Sequence, residues 1–283
     1  MFHHDAPPDK SCSQSCTVWL RSMALAVVLT FGSSAQSAHA ASAAIEPFKV
    51  ANIHFETNAS ACDMGIQIKF DTDGITKGSV ADPKGQTIYS FQTAGGMSAT
   101  GGQAEGFLEG IEPQITELIS ALGCEPSNEE GVMGLDELLE TWPAGKYTFA
   151  GQRNATKFSS QATLTHHIPA GPEVVAPADG YVFPASGPVG IDWNPVTEAI
   201  LPELGPVKIV GYHVIVEIAG LEVSPAVDVD VPATQSSLTI PTQYLMPNTV
   251  YRFEVLSTER GGNQTITEGY FCTDGVAACV LTD

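Results

Sequence analysis

The chain is 283 residues long, which at roughly 150 residues per domain suggests two domains. Its 43% of hydrophobic residues suffices for a core, and its 27 glycines and 19 prolines fall well short of a low-complexity composition. Against 12 Lys+Arg stand 32 Asp+Glu, a net charge of −20, and a field of that sign repels phosphate backbones and anionic lipid surfaces. Neither a nucleic-acid partner nor a polybasic membrane contact is expected.

The first 40 residues read as an export signal. An apolar run, Met23–Phe31, follows Arg21, and a stretch of small and polar residues leads to Ala38-His39-Ala40, an A-x-A cleavage pattern. The run is too short to span a bilayer, which takes about 20 apolar residues, and no other segment is long enough. A lipoprotein would need a cysteine just after the run, but Cys12 and Cys16 precede it. Cleavage starts the mature chain near Ala41, with no membrane span, in a secreted or periplasmic location. Export leaves four cysteines, Cys62, Cys124, Cys272 and Cys279, and an even count in an oxidising compartment favours disulfides. Four cysteines allow three connectivities; sequence locality prefers Cys62–Cys124 and Cys272–Cys279. Loop-closure entropy puts ceilings of about 4 and about 2.5 kcal/mol on these two bridges. The spacing matches no zinc-binding pattern.

The mature chain divides into a β-rich domain over 41–168 and a second domain over 171–283. The first begins with strands over Phe48–Phe55, Met64–Phe70 and Thr87–Phe91. The glycine-rich stretch Gly95–Gly106 reads as a mobile loop. Pro113 then opens a helical pattern, with Ile111, Ile115, Leu118, Ile119 and Leu122 at helical spacing and Gly123 as the stop. Leu135–Trp142 forms a second short helix ended by Pro143, and Lys146–Ala150 with Ser160–His166 forms a hairpin. Ile168–Pro172 reads as a stiff linker.

From Gly171 to about Thr273, short β-rich runs alternate with turn clusters every 8–12 residues, the pattern of a β-sandwich. The strands are Val189–Trp193, Val210–Ile218, Val227–Val231, Leu238–Ile240, Val250–Leu256 and Gln264–Phe271, with Gly261-Gly262-Asn263 as a hairpin turn. Trp193, the Leu238-Thr-Ile240 run and Leu245-x-Pro247-x-Thr249-x-Tyr251 make this half resemble a fibronectin type III module. The resemblance implies a seven-stranded sandwich in which Tyr251 is the tyrosine corner. It implies no function, because the fold hosts adhesion, spacing and receptor roles alike. The chain reads Glu259-Arg260-Gly261-Gly262-Asn263 where an Arg-Gly-Asp would stand, so integrin-type recognition is not implied. Trp142–Gly151 followed by Ala162–Pro172 is similar to a segment of uncharacterised exported bacterial proteins, where it precedes a sandwich module; Asn58–Asp73 extends the likeness. Relative to that family, Gly95–Gly131 looks like an insertion. The expected fold class is therefore all-β, with a sandwich-like first domain carrying two short inserted helices.

Chemistry is nearly absent from the pattern. No nucleophile elbow, zincin helix, P-loop or dinucleotide-binding glycine motif occurs, and Gly96-Met-Ser98-Ala-Thr-Gly101 lacks a second glycine at the required spacing. His166 and His167, as strand neighbours, point to opposite faces and cannot chelate one ion. Asp71-Thr-Asp73-Gly74 begins like a calcium loop, but Ile75 sits where the third oxygen ligand belongs, and a hairpin turn explains the same residues. His213 is a strand residue. The acidic runs Glu125–Glu130 and Asp136–Glu140 read as solvated faces, and Trp142 and Tyr147 as core rather than a sugar platform. Asn58, Asn154 and Asn263 head Asn-x-Ser/Thr sequons. No catalytic residue, cofactor or metal is assigned.

Two readings follow. The favoured one is an exported, non-catalytic binding, adhesion or scaffold protein of the bacterial envelope or exterior, with a protein or glycan partner at the cell surface or in the periplasm. The rival is a secreted hydrolase of polysaccharide or peptide, with the sandwich as an accessory. Protein recovered from outside the cytoplasm should begin at or near Ala41; N-terminal sequencing that finds Met1 or Met23 there overturns the export reading.

Overall fold

The computed structural model describes residues 45–126, 131–184, 186–221 and 225–281. The export signal and positions 127–130 of the first acidic run lie outside these residues.

In the first half, side chains alternate between core and outer face along extended runs. The strands are β1 (Ile45–Glu46), β2 (Val50–Asn58), β3 (Asp63–Ile75), β4 (Lys77–Ala81) and β5 (Thr87–Gln92). After helix α1 (Gly95–Ala99) come β6 (Gln103–Glu109), β7 (Gln114–Ile115), α2 (Thr116–Leu122), β8 (Val132–Met133) and α3 (Leu135–Thr141), then the hairpin of β9 (Gly145–Arg153) and β10 (Thr156–Leu164). One sheet runs β1-β10-β9-β4-β5; the other holds β2, β3, β7 and β8, with β6 also on β3. Phe48, Ile53, Phe55, Ile66, Ile68, Phe70, Phe149 and Phe158 fill the space between them.

Three local expectations change here. The glycine-rich stretch is not a loop: it forms α1 and then β6, which pairs with β3 from Gln67↔Glu109 to Ile75↔Gln103. Pro113 does not open a helix. Gln114 pairs with Asp63 and Val132, so α2 starts at Thr116 and leaves Ile111 outside it, 77% exposed. The ladder claimed those residues because their backbone groups found partners on β3 and β8. The helix does end on Gly123, whose φ of +80° is the left-handed conformation a C-terminal glycine supplies without strain. Asp71–Gly74 is not a hairpin turn either. It lies inside β3, where the strand bends away from one sheet before its chain continues as β4 in the other.

The second half opens with two strands the sequence did not mark, β11 (Val174–Ala176) and β12 (Tyr181–Phe183), and then holds the six expected ones: β13 (Val189–Trp193), β14 (Ile209–Ile218), β15 (Val227–Pro232), β16 (Ser237–Ile240), β17 (Val250–Glu259) and β18 (Gln264–Thr273). The three-stranded sheet β11-β13-β16 faces β15-β14-β17-β18, with β12 lying parallel to β18. That three-on-four antiparallel pairing is the fibronectin type III arrangement. Its core is separate from the first and gathers Trp193, Tyr212, Val214, Val216, Phe253, Val255 and Phe271, with Trp193 edge-on to Tyr212 at 5.3 Å. Tyr251 is fully buried, and its hydroxyl accepts a hydrogen bond from the Met246 N–H at 2.7 Å, the tyrosine corner. Both preferred disulfides are present: Cys62–Cys124, with Cα atoms 6.1 Å apart, and Cys272–Cys279, at 5.8 Å.

The halves do not hang from a free linker. β18 pairs in parallel with β2 over Gln264↔Glu56, Thr265↔Thr57 and Ile266↔Asn58, so one sheet runs from β15 to β8. The segment after β10 is clamped along this joint. Thr265 donates to the Pro169 carbonyl at 2.6 Å and Ser257 to the Ala170 carbonyl at 2.8 Å. Leu201, just before a 3-10 turn at Pro202–Leu204, and Leu204, its last residue, pack into the core of the first half. Asn263 closes the seam: its Oδ1 accepts from the Phe55 N–H, and its Nδ2 donates to the carbonyls of Thr165 and His167.

Urea unfolding of the full chain should show Tyr251→Phe losing about 1 kcal/mol, the net worth of one buried hydrogen bond. Asn263→Ala should lose about 3 kcal/mol or more, because it strands several buried backbone groups at once. An Asn263→Ala chain as stable as the parent would remove Asn263 from the joint.

Candidate functional site

The outer face of the shared sheet carries a cluster of carboxylates beside the seam. Along β2, Ile53 and Phe55 point into the core, which sends His54 and Glu56 to the other face. Along β3, Ile66 and Ile68 point inward, so Gln67 faces outward opposite His54, and Glu109 of β6 stands next to Gln67. Gly65 is the partner of Glu56 across the ladder. Its missing side chain is what admits Glu112, since a Cβ on Gly65 would collide with the Glu112 side chain. One carboxylate oxygen each from Glu56, Glu109 and Glu112 thereby lies within 4.8 Å of the others. The Gln67 amide nitrogen bridges two of them, donating to Glu56 Oε1 at 2.6 Å and Glu109 Oε1 at 2.9 Å.

Burial and like charges act together on this patch. Burial first, then Glu109, Glu254 and Asp63, together push the Glu56 carboxyl up to about 7 against the Gln67 hydrogen bond. Across the seam, burial and then Glu268 raise Glu254 of β17. Asn58 donates to Glu268 Oε1 at 3.0 Å, and Glu217 is held by Arg252, whose Nη2 lies 2.5 Å away. His54 is 6% exposed; burial lowers its pKa, and the Gln67 side chain acts in the opposite direction.

The residues singled out from the sequence lie elsewhere and apart from one another. His166 Nε2 lies 2.9 Å from the Trp142 carbonyl and His167 Nδ1 3.2 Å from that of Leu204, both in the segment beyond β10. Lys49 binds Asp73 at 2.5 Å, and Arg153 donates to the Asp73 carbonyl. His213 is more than a plain strand residue: its two ring nitrogens lie 2.7 Å from Asp228 and 3.0 Å from Asp230 on β15. Ser98 shares a hydrogen bond with Thr93. Tyr147 is fully buried with its hydroxyl on the Pro143 carbonyl, and Trp142 packs on the same core. Asp136, Glu137 and Glu140 face solvent on α3. Among the sequons, Asn154 sits exposed in the β9–β10 turn, whereas Asn263 is wholly buried and its amide is occupied.

Sequence reasoning passed over Glu56, Gln67, Glu109 and Glu112. The one local signal was a charged residue in the alternating run of β2, which by itself marks only a wet face.

No family model and no curated protein matches the chain. Among solved structures, it is similar to a two-domain fibronectin type III segment of chicken tenascin, at 10% identity, covering 79% of this chain and 97% of that one, with a TM-score of 0.26. It is also similar to the FN1–FN3 domains of chicken CNTN1, at 12% identity over 81% of this chain and 65% of that one, with a TM-score of 0.29. The Clostridium perfringens spore cortex lytic enzyme SleM matches at 14% identity, over 37% of this chain and 27% of that one, with a TM-score of 0.24. At such scores the class of the second half, a fibronectin type III-like sandwich, rests on its own strand pairing and tyrosine corner.

Because folding raises the Glu56 pKa above its unfolded value of 4.5, the folded state holds that proton more tightly. Its contribution is complete below about pH 4.5 and is lost as pH rises through about 7, by up to about 3 kcal/mol. Urea midpoints measured from pH 5 to about 8 should therefore fall, and Glu56→Gln should flatten the decline. Equal slopes in parent and variant would contradict the placement of Glu56.

Proposed function

We propose that the chain is an exported, non-catalytic binding or scaffold protein of the bacterial envelope or exterior, with a protein or glycan partner. The observation that carries this reading is the joint: β18 on β2, the clamped segment 168–172 and Asn263 unite two sandwiches into one continuous sheet. A joint of that kind suits a protein that holds surfaces at a fixed spacing. Two cores support the halves proposed as its domains, 41–168 and 171–283, although Leu201 and Leu204 of the second half pack into the first core. Two disulfides fit an oxidising compartment. No helix among the described residues is long and apolar enough to cross a membrane.

The hydrolase reading has one observation in its favour, the convergence of Glu56 with Glu109 and Glu112. The spacing argues against it. Retaining glycosidases hold their carboxyl groups about 5–5.5 Å apart and inverting ones farther, across a cleft that seats the sugar. Here the oxygens lie closer than that on a sheet face, with the Gln67 amide between two of them.

The test incubates the purified chain with isolated bacterial envelopes and, separately, with chromogenic glycosides and a labelled peptide mixture. Saturable retention on envelopes without turnover is the expected result. Turnover of either substrate that Glu56→Gln abolishes would replace the binding reading with the hydrolase.

A further inference from the structure

We propose that the free edge of β15 docks an extended segment of a partner protein, one whose side chains alternate between apolar residues and lysine or arginine. The proposal rests on the binding reading above and names the surface through which that binding occurs.

Three observations meet on one flank of the second sandwich. The first is an edge. Among the described residues β15 pairs with β14 alone, so its other side offers backbone N–H and C=O groups to a further strand. The second is an apolar groove beside that edge. Val227, Val229 and Val231 share the face turned towards the core. Val231 is buried there, yet Val229 stays 37% exposed, because the two sheets do not close over it. They leave a groove of about 290 Å³, with Val227, Asp228 and Val229 on one wall and Leu238, Ile240 and the exposed Tyr244 on the other.

The third observation is charge. Asp228 and Asp230 alternate with those valines, and both are exposed on the outer face. They share the imidazole of His213, and among the described residues no lysine or arginine ion-pairs with either. A strand added to β15 carries its own alternation into this register. Every second side chain drops into the groove against Val229 and Leu238, and the intervening ones stand over Asp228 and Asp230. Apolar residues suit the first set and cationic ones the second. The same aspartates disfavour a second copy as occupant. Two β15 edges laid together would set acid against acid, in a chain that already carries a net −20.

The experiment mixes the full chain with a labelled synthetic peptide of about eight residues, alternating lysine and valine. Fluorescence anisotropy reads binding, and amide hydrogen exchange reads its place. A peptide of the same composition, with lysines and valines in separate blocks, controls for simple attraction to an acidic protein. The alternating peptide should bind saturably, at least about ten-fold more tightly than the blocked one, and slow exchange over 227–231. Asp230→Lys, at an exposed side chain, should weaken it by about ten-fold or more. Glu137→Lys, the same charge change on the exposed face of α3, should leave it unaltered. Equal binding of the two peptides, or binding indifferent to Asp230→Lys, would overturn the proposal. So would uniformly slow exchange over 227–231 in the free chain, since the edge would then already be covered by another part of the chain or by a second copy. Isolated envelopes separate this surface from the broader reading. Retention that survives Asp230→Lys, with no saturable binding of the alternating peptide, leaves the binding reading standing and overturns the surface. Peptide binding confined to β15 without retention on envelopes supports the surface and removes the envelope from the binding reading.

Discussion

The parallel pairing of β18 with β2 is the contact from which the rest of the arrangement follows. Two β-sandwiches meeting edge to edge each expose a row of unpaired N–H and C=O groups, and joining those edges satisfies both rows. The three residue pairs of the ladder make a short contact, and side chains extend it. Asn263 is suited to that position because an amide offers an acceptor and two donors at one place. It uses the acceptor on Phe55 of one half and the donors on Thr165 and His167 of the segment between halves. A residue that heads a glycosylation sequon in the sequence is thus consumed as a structural fastener.

The same pairing explains the electrostatics. Bringing β18 and β17 beside β2 places Glu254 and Glu268 near Glu56 on one face, although the two groups belong to different sandwiches. A net charge of −20 would ordinarily be spread over the surface. Here part of it is gathered where desolvation makes ionisation expensive, and Arg252, His213 and the amides of Gln67 and Asn58 answer it. The protein gives up stability at that patch, and such a concentration of charge is where ligand chemistry is to be looked for.

One disulfide lies beside the joint, since the Cys62 N–H donates to the carbonyl of Asn58, a residue of the β18–β2 ladder. Cys62–Cys124 ties the segment after α2 to the β2–β3 connection, and Cys272–Cys279 ties the tail to the end of β18. Each holds a segment with little core of its own, so the bridges supplement packing at the chain's loosest connections.

The residues by themselves determined the second sandwich from Val189 onward, and missed β11 and β12 before it. Its signals are local: alternation in Val189–Trp193 and Val227–Val231, Pro-Asn before Tyr251, and turn clusters between runs all act within a few residues. Cysteine pairing was legible for the same reason, since each bridge lies within one half. The glycine-rich stretch and Pro113 misled because local propensity is weak where a neighbouring strand offers hydrogen bonds, and β3 offered them to Gln103–Glu109 and to Gln114. The carboxylate cluster, the buried His54 and the fastening by Asn263 were decided only by the tertiary structure. Each depends on register between strands far apart in the chain, and a shift of one residue in that register would turn Glu56 into the core and Phe55 out to water.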